Sequence, residues 1–161
     1  MELTFENLRQ ELKTKNISLS HQRLKVLEYL AQHRCHPTVD QIFTELQKDI
    51  PTLSKTTVYN TLRILADAGL VKVITIEDKE NRYDIDTEDH GHFKCESCGT
   101  IFDFPVDIDS LIPESLSKFK ITDKDVYLKG LCPGCLSDIK EINRRRVFTS
   151  TKPKHKEFSN N

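Results

Sequence analysis

Two Cys-x-x-Cys pairs, Cys95-Glu96-Ser97-Cys98 and Cys132-Pro133-Gly134-Cys135, follow a His90-Gly91-His92 in the second half of the chain. Four thiolates on two knuckles can close a tetrahedral shell around Zn²⁺, and such a closed shell supplies folding energy rather than chemistry. Paired cysteines can instead form disulfides, and the compartment separates the two outcomes. Residues 1–7 carry no basic region followed by an apolar run, and no stretch approaches about eighteen apolar residues, so the reading is cytoplasmic. Reducing cytosol disfavours structural disulfides, so Cys95, Cys98, Cys132 and Cys135 are expected to hold one structural zinc.

A second, harder set of ligands is scattered on both sides of the middle of the chain: His36, Asp84, His90, His92 and Asp103. Each has a plain alternative when taken singly. His36 could bond a loop before Pro37, and Asp84 and Asp103 could be outward charges on strands. Taken together they gain weight. In an extended segment His90 and His92 point to the same side, and Gly91 between them leaves room for a close approach. Three imidazoles and two carboxylates suit a first-row divalent ion such as Fe²⁺ or Mn²⁺ and leave a position open. Zinc or nickel would also bind by intrinsic affinity, so metal supply decides the occupant.

The elements that must position these ligands fall into two halves. Phe5, Leu8 and Leu12 recur at helical spacing, as do Leu24, Leu27, Leu30 and Ala31 before Pro37 stops a second helix. A third helix is expected over 39–48, carrying Ile42, Phe43 and Leu46 inward. The fourth begins at the N-cap Ser54, buries Val58, Leu62 and Leu65, and ends at Gly69. Its outward stripe is polar: Thr56, Asn60 and Arg63, with Thr57 and Tyr59 beside them. These side-chain types contact phosphates and base edges, although a polar stripe is more often simply a solvated face. Strands over 70–76 and 82–86 follow, joined by a polar turn. Helices, then a two-stranded wing, describe a winged helix-turn-helix.

The second half reads as strands near 93–95 and 100–104, a helix over 110–119, a strand over 126–131 and a final helix over 136–146. About sixty residues bury too little to be generous in stability, so a structural metal is a physical need there. Exposed strands on such a module invite a symmetric partner, and a homodimer is expected. The fold class is therefore α+β: an N-terminal winged-helix DNA-binding domain (1–86), a hinge (87–92), a small α/β dimerisation domain with a four-cysteine zinc site (93–148), and a disordered tail (149–161).

Charge is neutral on the DNA question. The net charge is −1, and residues 1–86 hold 12 Lys/Arg against 13 Asp/Glu, residues 87–148 hold 9 against 11. Any DNA contact must rest on a local face.

Several motifs together carry a resemblance: Thr57-Val58-Tyr59-Asn60-Thr61-Leu62 with Gly69-Leu70-Val71, Arg82-Tyr83-Asp84, Asp89-His90-Gly91-His92 and both cysteine pairs. Over roughly residues 3–146 the chain resembles the ferric uptake regulator family, homodimeric metal-dependent repressors that bind double-stranded operator DNA. Within it, Asn60, Asp103 and Lys124 make it most similar to the peroxide-responsive PerR branch. Iron-responsive members more often have Arg, Glu and a histidine ligand at those places. The resemblance implies that His36, Asp84, His90, His92 and Asp103 are the regulatory Fe²⁺/Mn²⁺ ligands and that His36 and His90 are the histidines oxidised. It also implies closure of the two domains on metal binding, with peroxide at Fe²⁺ converting a histidine to 2-oxo-histidine and releasing DNA.

Other readings compete. Iron-responsive or zinc-responsive repression would use the same fold, and Cys132-Pro133-Gly134-Cys135 also resembles the motif of thiol-disulfide oxidoreductases. The redox motif belongs in a βαβ context and has no use for a second matched pair, and no hydrolytic arrangement is evident, so the chain reads as a regulator and not an enzyme. His21 is expected at the surface. Cys35 beside His36 is either a small buried apolar residue or a redox-active neighbour of the sensing metal.

Overall fold

The computed structural model describes residues 5–77 and 79–149, and the tail read as disordered falls outside the described residues apart from Thr149. Four helices come first: α1 (Phe5–Thr14), α2 (His21–Gln32), α3 (Val39–Leu46) and α4 (Lys55–Asp67). The last three begin where a side-chain oxygen satisfies an amide that the helix leaves unpaired. Ser20 accepts from the Arg23 N–H at 3.2 Å and Ser54 from the Thr57 N–H at 3.0 Å. Thr38 and Gln41 form a reciprocal box: Thr38 Oγ1 accepts from the Gln41 N–H at 3.2 Å, and Gln41 Oε1 accepts from the Thr38 N–H at 2.9 Å. At the other end of α4, Gly69 adopts φ +70°, and the Leu70 N–H returns to the Leu65 carbonyl at 2.9 Å.

The apolar stripes predicted from spacing meet in one core. Leu8, Leu12, Leu24, Leu27, Leu30, Ile42, Leu46, Val58, Leu62 and Leu65 are all buried in it, with Val26 added. Packing of these four stripes fixes α4 with its polar side turned outward, which is the link from spacing to exposed chemistry.

Strands β1 (Lys72–Ile74) and β2 (Arg82–Asp84) pair antiparallel, with Val73 opposite Tyr83. The expected strands over 70–76 and 82–86 are thus shorter. Asp84 ends β2 itself, because its Oδ1 accepts from the Asp86 N–H at 2.9 Å and bends the chain away from the ladder.

The second half forms a three-stranded sheet in the order β4-β3-β5, from β3 (Gly91–Cys95), β4 (Ile101–Phe104) and β5 (Tyr127–Gly130), followed by α5 (Pro133–Thr149). The central β3 is antiparallel to β4 and parallel to β5. Gly91 and His92, assigned to the hinge by sequence, are the first residues of β3. A Cβ at position 91 would fall 2.3 Å from the Phe104 ring, so any larger residue there would have to push that ring aside. The helix predicted over 110–119 is corrected to two 3₁₀ turns, Asp109–Leu111 and Glu114–Leu116. Pro113 between them lacks an N–H and pushes its predecessor out of α geometry; Ile112 accordingly sits at φ −77°, ψ 116°.

The halves are packed together. Ile74 and Ile76 of the wing bury themselves against Ile101 of β4 with Tyr127 of β5 alongside, and the Thr75 N–H donates to the Tyr127 hydroxyl at 3.2 Å.

Candidate metal centres

The cysteine pairs converge. Cys95 closes β3, Cys98 lies in the turn after it, and Cys132 and Cys135 flank the start of α5. One sulfur from each lies within 4.8 Å of all the others. Cys98 Sγ and Cys132 Sγ are 4.0 Å apart. Thiolates about 2.3 Å from a zinc ion would stand roughly 3.8 Å apart, so the spacing fits one tetrahedral ion. Donation from the Cys98 and Cys132 amides lowers the Cys95 thiol to about 6, the Cys132 N–H reaching its sulfur at 3.3 Å. Cys135 is pushed up to about 12, the favourable Ser97 contact being outweighed by the Cys132 thiol and burial. Without a cation the cluster ionises unevenly; a cation at its centre lets all four thiols become thiolates. Cys132 does follow a strand and open a helix, as a redox motif would. Its sulfur faces the other pair rather than a substrate cleft.

The second set also converges. One ligating atom from each of His36, Asp84, His90, His92 and Asp103 lies within 4.8 Å of the others. His36 precedes α3, Asp84 ends β2, His90 and His92 bracket the start of β3, and Asp103 lies directly opposite His92 on β4. The hub is Asp84 Oδ2, which is 3.3 Å from His36 Nε2, 3.0 Å from His90 Nε2 and 3.4 Å from His92 Nε2. Asp103 Oδ1 completes the group at 2.8 Å from His36 Nε2. Ligands about 2.1 Å from one ion lie roughly 3 Å from their neighbours in an octahedral shell; the contacts of Asp84 match that spacing, while Asp103 stands wider from His90 and His92, at 3.7 and 3.8 Å.

The donor chemistry fits an ion as well as the distances do. His36 and His92 are buried to 3% and 0% exposure, and both nitrogens of His36 and Nδ1 of His92 lack an aligned hydrogen-bond partner. His90 Nδ1 lies 2.9 Å from the Glu88 carbonyl while its Nε2 faces the Asp84 carboxylate. Both are acceptors, and a neutral ring has one proton for the two, so a cation between Nε2 and Oδ2 would satisfy the second. Burial by itself would raise the Asp84 carboxyl, but the His36 and His92 imidazoles and the Asp86 amide hold it well below the usual carboxylate range.

His36 adopts φ +53°, a left-handed conformation that His tolerates better than most residues. Its neighbourhood is stitched to β2: the Tyr83 N–H donates to the Pro37 carbonyl at 3.1 Å, and Arg82 Nη1 donates to the His36 carbonyl at 3.2 Å. Sequence spacing carries no sign of this loop, nor of Arg82 in that role, because the contact spans 46 residues.

The outward face of α4 presents Thr56, Tyr59, Asn60 and Arg63 to solvent, Tyr59 at 53% exposure. Thr57 is half-buried instead, its hydroxyl 2.8 Å from that of Ser54. A groove of about 780 Å³ runs between this face and the wing turn, lined by Lys55, Thr56 and Tyr59 on one side and Lys79 and Asn81 on the other. Periodicity did not single out these wing residues, since a turn has none.

His21 is exposed, as expected. Cys35 is exposed as well, which removes its reading as a buried apolar residue. Lys124 Nζ lies 2.6 Å from Asp109 and 3.5 Å from Asp89, so that position carries its own fixed cation.

A family model described as the ferric uptake regulator family matches residues 14–129. The chain is 36% identical over 128 residues to the peroxide-responsive repressor PerR of Staphylococcus aureus, covering 77% of this chain and 86% of that protein. It is 37% identical over 127 residues to the peroxide operon regulator of Bacillus subtilis, covering 77% and 88%. Among solved structures, the ferric uptake regulator Fur of Helicobacter pylori, for which three functional metal binding sites are reported, matches at TM-score 0.67 and 25% identity over 83% of this chain and 95% of that one. The Vibrio cholerae ferric uptake regulator matches at TM-score 0.64 and 29% identity, over 77% and 98%.

Proposed function

The chain belongs to the ferric uptake regulator family, and from that premise we propose that it is a metal-dependent DNA-binding repressor that senses hydrogen peroxide by oxidation of His36 or His90. It is a regulator, not an enzyme. The observation that carries this reading is the meeting of five hard ligands, drawn from both halves of the chain, around two buried histidines whose nitrogens lack aligned partners.

Cys95, Cys98, Cys132 and Cys135 hold one structural zinc per subunit, and His36, Asp84, His90, His92 and Asp103 hold one Fe²⁺ or Mn²⁺. Ferrous ion supplies the electron transfer that activates peroxide, whereas manganese fills the same ligand set without it. In His36 and His90 the nitrogen facing Asp84 is Nε2, so the ring carbon next to it would lie beside a bound ion. Oxidation converts one ring C–H to C–OH: one peroxide oxygen enters the ring, the other leaves as water, and the ring loses two electrons. Ligands drawn from both halves make closure and ion binding one equilibrium, so damage to either histidine loosens both. A coupling of about 1–3 kcal/mol changes DNA affinity by roughly five- to 150-fold.

Double-stranded operator DNA is read by the α4 face, in a homodimer. An unpartnered strip of the sheet suits a second copy: Phe93 lies between Phe102 and Leu128 in register, and the outer two are 43% and 51% exposed. Among the described residues no helix is long and apolar enough to cross a membrane. The cytoplasmic placement rests on the chemistry: a site built on free thiols and ferrous ion suits a reducing compartment.

Mass spectrometry of the iron-loaded protein after peroxide is expected to show one added oxygen on the peptide holding His36 or His90, with loss of operator binding in parallel. The manganese form should show neither. Loss of binding without that oxygen would overturn the mechanism. If gel shifts show that only Zn²⁺ supports operator binding and peroxide does nothing, the peroxide assignment falls to zinc-responsive repression.

For DNA, Arg63→Ala is expected to weaken operator binding by roughly tenfold or more and to flatten its salt dependence, with dimer and zinc content unchanged. Unaltered affinity and slope would move the contact surface off α4.

A further inference from the structure

One carboxylate ties the wing to both sources of the hard ligands. Glu77, in the turn after β1, accepts from Arg82 Nε at 2.6 Å and from Lys94 Nζ at 3.0 Å, both through Oε1. These side chains are 15–20% exposed, so the group is mostly sheltered from solvent rather than a loose surface pair. Each cation leads to a ligand. Arg82 also donates to the carbonyl of His36, the residue held at φ +53°, and stands two residues before Asp84. Lys94 stands two residues after His92 and one before Cys95, on the strand shared by both metal centres.

A left-handed histidine needs its surroundings to hold it there, and the donor to its carbonyl is oriented by Glu77. On the other side, Glu77 fixes the wing against β3, beside the buried contact of Ile74 and Ile76 with Ile101. We propose that Glu77 is a positioning residue for the His/Asp centre: through Arg82 it sets His36, through Lys94 it sets β3, and so it brings the ligands of the two halves to one point. This rests on the reading of that centre as a metal site. Glu77 does not touch the ion; it acts through the two cations.

The test measures Mn²⁺ affinity of the zinc-loaded protein, wild type and His90→Ala first, then Glu77→Gln, Lys94→Met and the double variant. Outer partners of metal ligands typically shift affinity 10- to 100-fold. Glu77→Gln is expected to weaken Mn²⁺ binding about tenfold with zinc content unchanged, Lys94→Met to weaken it less, and the double variant to bind no worse than Glu77→Gln alone. That non-additivity is the signature of one shared carboxylate. A purely structural role for Glu77 would lower the unfolding midpoint and leave Mn²⁺ affinity alone, and that result overturns the proposal. Additive losses also overturn it. If Glu77→Gln does not fold, an unaltered affinity in Lys94→Met overturns the link to β3, and a loss supports it. Should His90→Ala bind Mn²⁺ as tightly as wild type, the metal-site reading fails and the inference goes with it; should His90→Ala lose binding while Glu77→Gln keeps it, the inference alone fails.

Discussion

Asp84→Asn is expected to yield a folded, zinc-loaded protein that has lost more than about a hundredfold in Mn²⁺ affinity and no longer binds operator in a metal-dependent way. The expectation follows from where the charge sits. Asp84 Oδ2 lies within 3.0–3.4 Å of all three imidazoles, and the residue is 4% exposed, so no water can replace it as the common anionic ligand. Asn has the same shape and can still accept from the Asp86 N–H at the Oδ1 position, so the end of β2 should survive. What disappears is the negative charge that makes the cluster attractive to a divalent cation; Asp103, 47% exposed on its own strand, then remains as the lone carboxylate. Isothermal titration with Mn²⁺, zinc analysis and a gel shift read the three parts separately. A variant that binds Mn²⁺ and operator like wild type would remove Asp84 from the site.

Cys132→Ser should have a larger and less selective effect. Its sulfur stands between the two knuckles, 4.0 Å from Cys98, while its amide donates to Cys95. Those contacts, with the Glu96 N–H donating to the Gly130 carbonyl at 2.7 Å, join the end of β3 to the end of β5. A closed zinc shell contributes about 10–16 kcal/mol to the folding of small zinc-dependent units, as large as the whole stability of an ordinary domain. The sheet gives only Ile101, with the partly buried Tyr127, to a small cluster whose other buried members, Ile74 and Ile76, belong to the wing. Loss of zinc is therefore expected to melt β3, β4 and β5 and to take the second centre with it, since His92 and Asp103 ride on β3 and β4. The asymmetry is the discriminating feature: Asp84→Asn keeps zinc and loses Mn²⁺, whereas Cys132→Ser loses both. Circular dichroism and metal analysis after chelator treatment check it. A zinc-free Cys132→Ser protein that remains a folded, Mn²⁺-binding dimer would show that the cysteines are dispensable to the fold.

The same asymmetry separates what local sequence carries from what it does not. Helix caps and stripes were legible because they depend on neighbours within a turn or two. Ser54 accepts from an amide three residues on, and Val58, Leu62 and Leu65 share a face by the helical period alone. The four cysteines were legible as a group because two Cys-x-x-Cys pairs are the spacing a tetrahedral ion asks for, and the structure brings their sulfurs together. The five hard ligands could be nominated, and the structure brings them together; their work as ligands remains for the Mn²⁺ experiments.

The structure differs where a single residue interrupts the pattern around it. Residues 110–119 have helical spacing, yet Pro113 divides them into two 3₁₀ turns. The strand predicted over 82–86 ends at Asp84, which turns its own chain, and the one predicted over 70–76 pairs only over Lys72–Ile74.

By itself, then, the sequence determined the winged-helix class, the pairing of four cysteines, the polar stripe on α4 and the family, since each is written in residue types at short spacing. Only the tertiary structure decided how the halves meet. It set His36 in a left-handed turn bonded to Arg82, brought Asp103 from a half-exposed strand position to 2.8 Å from that histidine, and joined Glu77 to Lys94. The physical reason is distance along the chain. A bond between residues 36 and 82, or 36 and 103, depends on the packing of whole elements between them, and no short-range period records it.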